Sequence, residues 1–281
     1  MQTVPVIILN YNSSGDCEKC IKFLQRQSGV CAHIIVVDNY SSGQDLAHIR
    51  EVCKKFNCTL IENRENRGYN AGNNIGLRYA AKQEYEFALI ANPDMEFPQT
   101  DYLATLIAAM QKDQSVAVIG SDIVSPNGQH QNPMRRDGEW QESWWWFGEL
   151  LKIRKSHSEI GSATTRYCDK VSGCCLLVRM DFMREIGFFD ENVFLYCEEA
   201  ILSRQVEGAG KRILYLADAQ AVHAHIPSQK GDPTKRFRNW LRSRRYFIRH
   251  YNGESVFSRA MMNLSAFLYA NIFILKAKLK R

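Results

Sequence analysis

Phe87-Ala88-Leu89-Ile90-Ala91-Asn92-Pro93-Asp94 decides how this chain is read. Five apolar residues closed by turn formers predict a short, buried strand. Proline cannot continue a ladder, so the chain turns there. The turn leaves the Asp94 carboxylate at the carboxyl end of a strand, where open α/β sheets bind their ligands. An oxygen ligand in that place suits Mg²⁺ or Mn²⁺ carrying a nucleotide diphosphate. The same tripeptide is also an ordinary Asx or proline turn. Its surroundings must decide between the two.

Working outward, apolar strand signals fall at residues 4–9, 33–37, 59–62 and 116–119, and helical periodicity at 16–27, 44–56, 71–82 and 101–111. Strands alternating with helices of this length predict an α/β, Rossmann-like, mostly parallel sheet flanked by helices. Right-handed crossovers then gather the strand ends on one edge. That edge collects Asn10-Tyr11-Asn12, Asp38-Asn39 and Asn92-Pro93-Asp94. Turn chemistry alone does not require three polar clusters to converge, so they mark a site.

Beyond residue 120 the pattern loosens. Trp144-Trp145-Trp146 either packs on the sheet with one ring exposed or offers a platform to a sugar or a membrane. A strand is expected at 170–178 and a helix at 198–208, with Glu198 and Glu199 in its first turn. Strand-like runs at 212–216 and 219–225 follow, and then two helices.

Charge divides the chain. Of 281 residues, 45% are hydrophobic and 23% charged, enough for a packed core. The net charge is +6, but residues 230–281 hold 13 basic and two acidic side chains, against 23 and 28 before them. The tail therefore calls for an anionic partner. Its last helix, about residues 255–280, contains an apolar run of about 15 residues, short of the ~20 that span a bilayer. It reads as a buried docking helix or as an in-plane membrane helix ending on Lys276, Lys278, Lys280 and Arg281. Nine scattered cysteines imply reduced thiols, and Cys17-Glu18-Lys19-Cys20 has no second pair to complete a zinc site. The apolar run 4–9 is too short for a secretory leader, so a cytoplasmic protein is expected.

The motifs together resemble the family-2 glycosyltransferases of GT-A fold, especially the bacterial rhamnosyltransferase-like branch of capsule and O-antigen synthesis. The matching segments run in family order: Val6-Ile7-Ile8-Leu9-Asn10-Tyr11-Asn12, Val36-Val37-Asp38-Asn39-Tyr40-Ser41-Ser42, Asn66-Arg67-Gly68-Tyr69-Asn70-Ala71-Gly72-Asn73-Asn74-Ile75-Gly76 and Asn92-Pro93-Asp94. Val171-Ser172-Gly173-Cys174-Cys175-Leu176-Leu177-Val178, Gly187-Phe188-Phe189-Asp190-Glu191 and Tyr196-Cys197-Glu198-Glu199 complete them.

The resemblance implies a GT-A domain at 1–228, with its nucleotide-binding half at 1–120, and a basic helical extension at 229–281. It implies inverting transfer of a sugar from a UDP- or dTDP-linked donor to a hydroxyl of a lipid-linked saccharide. Mg²⁺ or Mn²⁺ would be bound by Asp94 and His223, with His225 a less well spaced alternative. Glu199 would be the base and Glu198 would place the acceptor. Asn10, Asn12, Asp38, Asn39, Asn66, Gly68, Asn73 and Asn92 would face the donor, and Arg244, in Arg242-Ser243-Arg244-Arg245-Tyr246, would clamp phosphate. The implied setting is the inner face of the cell membrane, held through the C-terminal helix on anionic lipid, with no nucleic acid. Three positions depart from the family pattern: Asn92 stands for a first Asp, Glu199 for the commoner Asp, and Ile201 where another Asp is frequent. Two other readings share parts of the pattern, a sugar nucleotidyltransferase and a non-catalytic nucleotide- or nucleic-acid-binding protein. The first normally carries a basic residue in the loop after strand one, where Asn10-Tyr11-Asn12-Ser13-Ser14-Gly15 has none.

Overall fold

A computed structural model describes residues 2–151, 164–224 and 232–279. His225, the expected boundary at residue 228, Lys280 and Arg281 lie outside the described residues. The first half alternates as expected: β1 (Thr3–Asn10), α1 (Ser14–Leu24), β2 (Cys31–Asp38), α2 (Gly43–Phe56), β3 (Thr59–Glu62), α3 (Tyr69–Lys82) and β4 (Phe87–Ala91). These strands lie parallel in the order β3-β2-β1-β4. The near-continuous apolar runs of β1, β2 and β4 bury both faces, while the edge strand β3 is only half-buried. Val6, Ile8 and Val36 enter one core, while Ile7, Ile35 and Val37 enter the other, as period-two alternation dictates. Pairing of Asn10 with Asp38, and of Ile8 with Ala91, brings the three polar strand ends level on one edge.

Past β4 the sheet becomes mixed. β8 (Cys175–Arg179) runs antiparallel between β4 and β6 (Val116–Val124), and β9 (Arg212–His223) lies parallel to β6. The two runs expected at 212–216 and 219–225 form this one strand, with a register shift between Ser121 and Asp122 of β6 absorbing the interruption. The strand expected from residue 170 begins only at Cys175, because residues 172–174 turn aside to form the site described below. Two short strands gave no sequence signal. β5 (Met95–Glu96) pairs with the end of β9, and β7 (Arg166–Cys168) pairs with its beginning. α4 (Tyr102–Lys112), a 3₁₀ turn (Trp140–Trp144), α5 (Trp145–Leu150), α6 (Met180–Glu185) and α7 (Glu198–Gly208) fill the connections.

The basic tail folds into α8 (Pro233–His250) and α9 (Val256–Leu279). Asp232 caps α8 by accepting from the Thr234 N–H at 3.0 Å, with Pro233 at the first helical position, where its missing N–H costs nothing. α9 returns antiparallel. Phe237 stacks on Phe273 at 4.7 Å, and Trp240 meets Tyr269 at 5.4 Å. Trp145 lies 6.2 Å from both Trp240 and Tyr269, so the tryptophan run packs through this ring while Trp144 stays 52% exposed. No helix among the described residues is long and apolar enough to cross a membrane.

Candidate active site

The edge of the parallel half is a closed hydrogen-bond lattice. The Asn10 amide donates to Asp38 Oδ1 and Asp45 Oδ2, both at 2.8 Å, and Asp38 Oδ2 accepts from the Ser41 N–H at 3.1 Å. The Asn39 amide donates to Asn66 Oδ1 and to the Gly68 carbonyl. Asn12 accepts from the Ser42 N–H at 2.8 Å. Asn12 and Tyr40 adopt left-handed backbone, at φ 54° and 68°, and both stand exposed on the rim. Asp45 was not foreseen; burial raises its carboxyl, but hydrogen bonds from Ser14, Asn10 and Ser41 outweigh this and hold it below the usual range.

This lattice engages part of the expected donor set. Asn10, Asn39 and Asn73 are 0, 2 and 0% exposed, and the side-chain N–H groups of all three donate within the protein. Asn73 Oδ1 is buried with no hydrogen-bond partner among the described residues. Asp38, at 1% exposure, is likewise held from within, and Asn12 is the exposed member of the set. Arg244 is taken up in a separate buried cluster. It is 2% exposed, bonded to Asp137 at 3.1 Å, paired with Glu142, and covers the Trp145 ring at 4.9 Å. Lys170 closes on the same Asp137. This buried cluster consumes its guanidinium, because an unpaired buried charge costs several kcal/mol. Arg236, on the exposed side of α8, acts electrostatically on Tyr196, just ahead of the paired acids.

Asp94 and His223 do come together. β5 lays Met95 opposite His223, the Ala224 N–H donates to the Asp94 carbonyl at 2.9 Å, and His223 Nε2 lies 3.3 Å from Asp94 Oδ1. Burial alone would lower the imidazole's proton affinity, but Asp94 and Cys174 outweigh it and push His223 up to about 10. The Asp94 carboxylate matches the oxygen donors that Mn²⁺ and Mg²⁺ prefer, whereas the His223 ring, protonated against it, would have to release that proton to add a nitrogen ligand. No three His, Cys, Asp or Glu side chains converge on a metal position among the described residues, so a diphosphate would have to complete the shell. A cleft of about 300 Å³ opens here, lined by Asp16, Lys19, Pro93, Asp94, Met95 and Glu96.

Glu198 and Glu199 begin α7 after two consecutive residues in left-handed backbone, Tyr196 at φ 72° and Cys197 at φ 65°. Neither residue is glycine, so the turn stores strain that its surroundings must hold. Glu199 Oε1 accepts from the Gly173 N–H at 3.2 Å, and a Cβ at Gly173 would meet that oxygen at 3.2 Å. The Tyr69 hydroxyl donates to the Gly173 carbonyl at 2.6 Å. Glu198 Oε2 is buried with no hydrogen-bond partner among the described residues. Burial, and then the Glu199 charge beside it, push the Glu198 carboxyl up to about 8. Glu198 therefore holds its proton more tightly than an exposed carboxyl does.

Residues 172–174 join the two sites. Cys174 accepts from the Asn92 N–H at 2.7 Å through its carbonyl, its thiol faces His223, and Gly173 next to it holds Glu199. The acid pair also leans on the tail. Ser243 donates to the Leu195 carbonyl at 2.7 Å, and the Tyr246 and Tyr251 hydroxyls donate to the same Asp190 oxygen at 2.8 and 2.7 Å. Phe247, Ile248 and Met262 share a core with Val193, Ala200 and Ile201. The roles of Tyr69 and Asp190 had no signal beyond their place in quoted motifs, since their partners are distant in sequence.

Known proteins place this geometry. The chain is 27% identical to the low-salt glycan biosynthesis hexosyltransferase Agl10 of Haloferax volcanii over 84% of this chain and 70% of that one. It is 24% identical to the N-acetylglucosaminyl-diphospho-decaprenol L-rhamnosyltransferase of Mycobacterium tuberculosis over 82% and 78%. The mannosyltransferase PcManGT of Pyrobaculum calidifontis, solved with GDP-Man and Mn²⁺, shares the fold with a TM-score of 0.58 at 18% identity, over 98% of this chain and 73% of that one. This likeness bears out the GT-A architecture and its helical C-terminal extension. Residues 6–187 match the model for glycosyl transferase family 2, and the chain belongs to that family of glycosyltransferases.

Proposed function

We propose that this glycosyltransferase moves a sugar, with inversion, from a UDP- or dTDP-linked donor to a hydroxyl of a lipid-linked saccharide at the inner face of the cell membrane, in synthesis of a surface polysaccharide. One observation carries the reading: residues 172–174 touch Asn92, His223 and Glu199, so the residues expected at the donor diphosphate and the expected base share one short loop. Inverting displacement needs both near one sugar carbon, with leaving group on one side and base on the other. The relatives named above, a glycan hexosyltransferase and a rhamnosyltransferase, support the substrate class.

Asp94 and His223 would hold Mg²⁺ or Mn²⁺, which when bound supplies Lewis-acid stabilisation to the departing diphosphate. Glu199, aimed by Gly173, takes the proton from the acceptor hydroxyl as it attacks. Glu198, whose burial holds its proton more tightly than usual, donates a hydrogen bond to the acceptor and leaves the role of base to Glu199. Tyr69 keeps the Gly173 peptide fixed while this happens.

The test incubates the protein with UDP- and dTDP-sugars, Mn²⁺ or EDTA, and a polyprenyl-diphosphate-linked acceptor, reading both product and by-product. Release of nucleoside diphosphate with growth of the acceptor is expected. Release of pyrophosphate would establish a nucleotidyltransferase instead. A thermal-shift panel of UDP, dTDP and GDP runs beside it, since a ligand bound by the folded state alone raises the melting temperature.

A further inference from the structure

Two stripes run along the paired C-terminal helices. On α8, Lys235, Arg238, Arg242, Arg245 and Arg249 are all exposed and recur at spacings of three and four, which places five cations on one face. On α9, Phe257, Leu264, Phe267 and Leu275 follow the same period and are 76, 50, 42 and 59% exposed. Neither helix contains an aspartate or glutamate. The stripes touch: the Arg245 guanidinium lies 5.5 Å from the centre of the Phe267 ring. The Phe237–Phe273 and Trp240–Tyr269 contacts fix the helices antiparallel, so the stripes stay side by side along their length.

We propose that this face docks on an anionic lipid bilayer. α9 lies in the plane of the interface with its four apolar side chains among the acyl chains, and the α8 cations rest on lipid phosphates. Charge and hydrophobicity together select this occupant. Nucleic acid would satisfy the cations but leave the apolar stripe in water. A second copy of the chain would set five cations against five across a two-fold axis, where like charges repel. A bilayer of mixed charge satisfies both stripes at once. The proposal takes its purpose from the lipid-linked acceptor proposed above, but its geometry stands apart from the catalytic residues.

The test uses the full chain and vesicles of phosphatidylcholine, alone or with about a third phosphatidylglycerol, without donor or acceptor. The protein should sediment with the anionic vesicles and stay in solution with the neutral ones. F257S/L264S/L275S and K235Q/R238Q/R249Q should each weaken this binding on the order of a hundredfold, with the melting temperature within a few degrees of the parent. Four results would overturn the proposal: no binding to anionic vesicles, equal binding to neutral ones, binding that ignores both triple variants, or a dimer that the serine variant alone dissociates. Preference for an RNA oligonucleotide over the vesicles would overturn it as well. A protein that binds vesicles but transfers no sugar keeps this proposal and loses the transferase mechanism.

Discussion

The two halves of the site are built on opposite principles. Along the parallel edge, Asn10, Asp38, Asn39 and Asn66 satisfy one another through hydrogen bonds, and the exposed rim is a small remainder. At the start of α7, Tyr196 and Cys197 sit in left-handed backbone, Glu198 has a buried oxygen with no hydrogen-bond partner among the described residues, and the loop is held from α8 and its C-terminal end, through Ser243, Tyr246 and Tyr251. A binding edge gains from being rigid before its ligand arrives. A reacting acid pair needs an environment that water would not give it, and the surrounding structure must hold that environment in place.

This contrast predicts an order of effects. Gly68 joins the halves: its φ is +102°, and a Cβ there would lie 2.2 Å from the Phe194 carbonyl oxygen. Gly68→Ala should cost about 3 kcal/mol or more by chemical denaturation; a loss under about 1 kcal/mol would show the halves to be loosely joined. Next comes the tyrosine clamp. Tyr246→Phe with Tyr251→Phe removes two hydrogen bonds to a charged oxygen and should cost about 2–4 kcal/mol. It should lower turnover more than donor affinity, because Asp190 anchors the loop that leads into the acid pair. Equal losses in both would place the clamp with the donor edge.

The effect that depends on pH comes from Glu198. Its carboxyl is raised from 4.5 in the unfolded chain to about 8, so between these values the folded state binds more protons than the unfolded one. Stability should therefore fall as pH rises from about 4.5 to about 8. Glu198→Gln should flatten that slope in denaturation curves taken across the window. An unchanged slope would assign the pH dependence to other groups.

The parallel half was legible because its strands are buried on both faces and announce themselves as apolar runs. Asp94 and His223 were singled out by a turn motif and a spacing, and the pairing of β5 with the end of β9 explains why they meet. β5 itself, two residues long, carries no periodicity to read. Arg244 misled because a buried and an exposed arginine look alike in a basic helix. Its partner Asp137 is 107 residues away, and only the fold brings them together. Asn10 shows a related difficulty: a polar residue at a strand end serves equally as a ligand contact or as a brace, and its bond to Asp45, 35 residues on, had no signal in the sequence.

The most direct measurement sets Asp94→Ala beside Glu199→Gln, reading donor affinity by titration calorimetry with and without Mn²⁺, and turnover with the same donor. Asp94→Ala should abolish the metal-dependent part of donor binding. Glu199→Gln should bind donor within a few-fold of the parent and lose turnover by about 10²-fold or more. Equal loss of donor binding in both variants, or full turnover by Glu199→Gln, would contradict the division of the site into a donor edge and a strained catalytic acid pair.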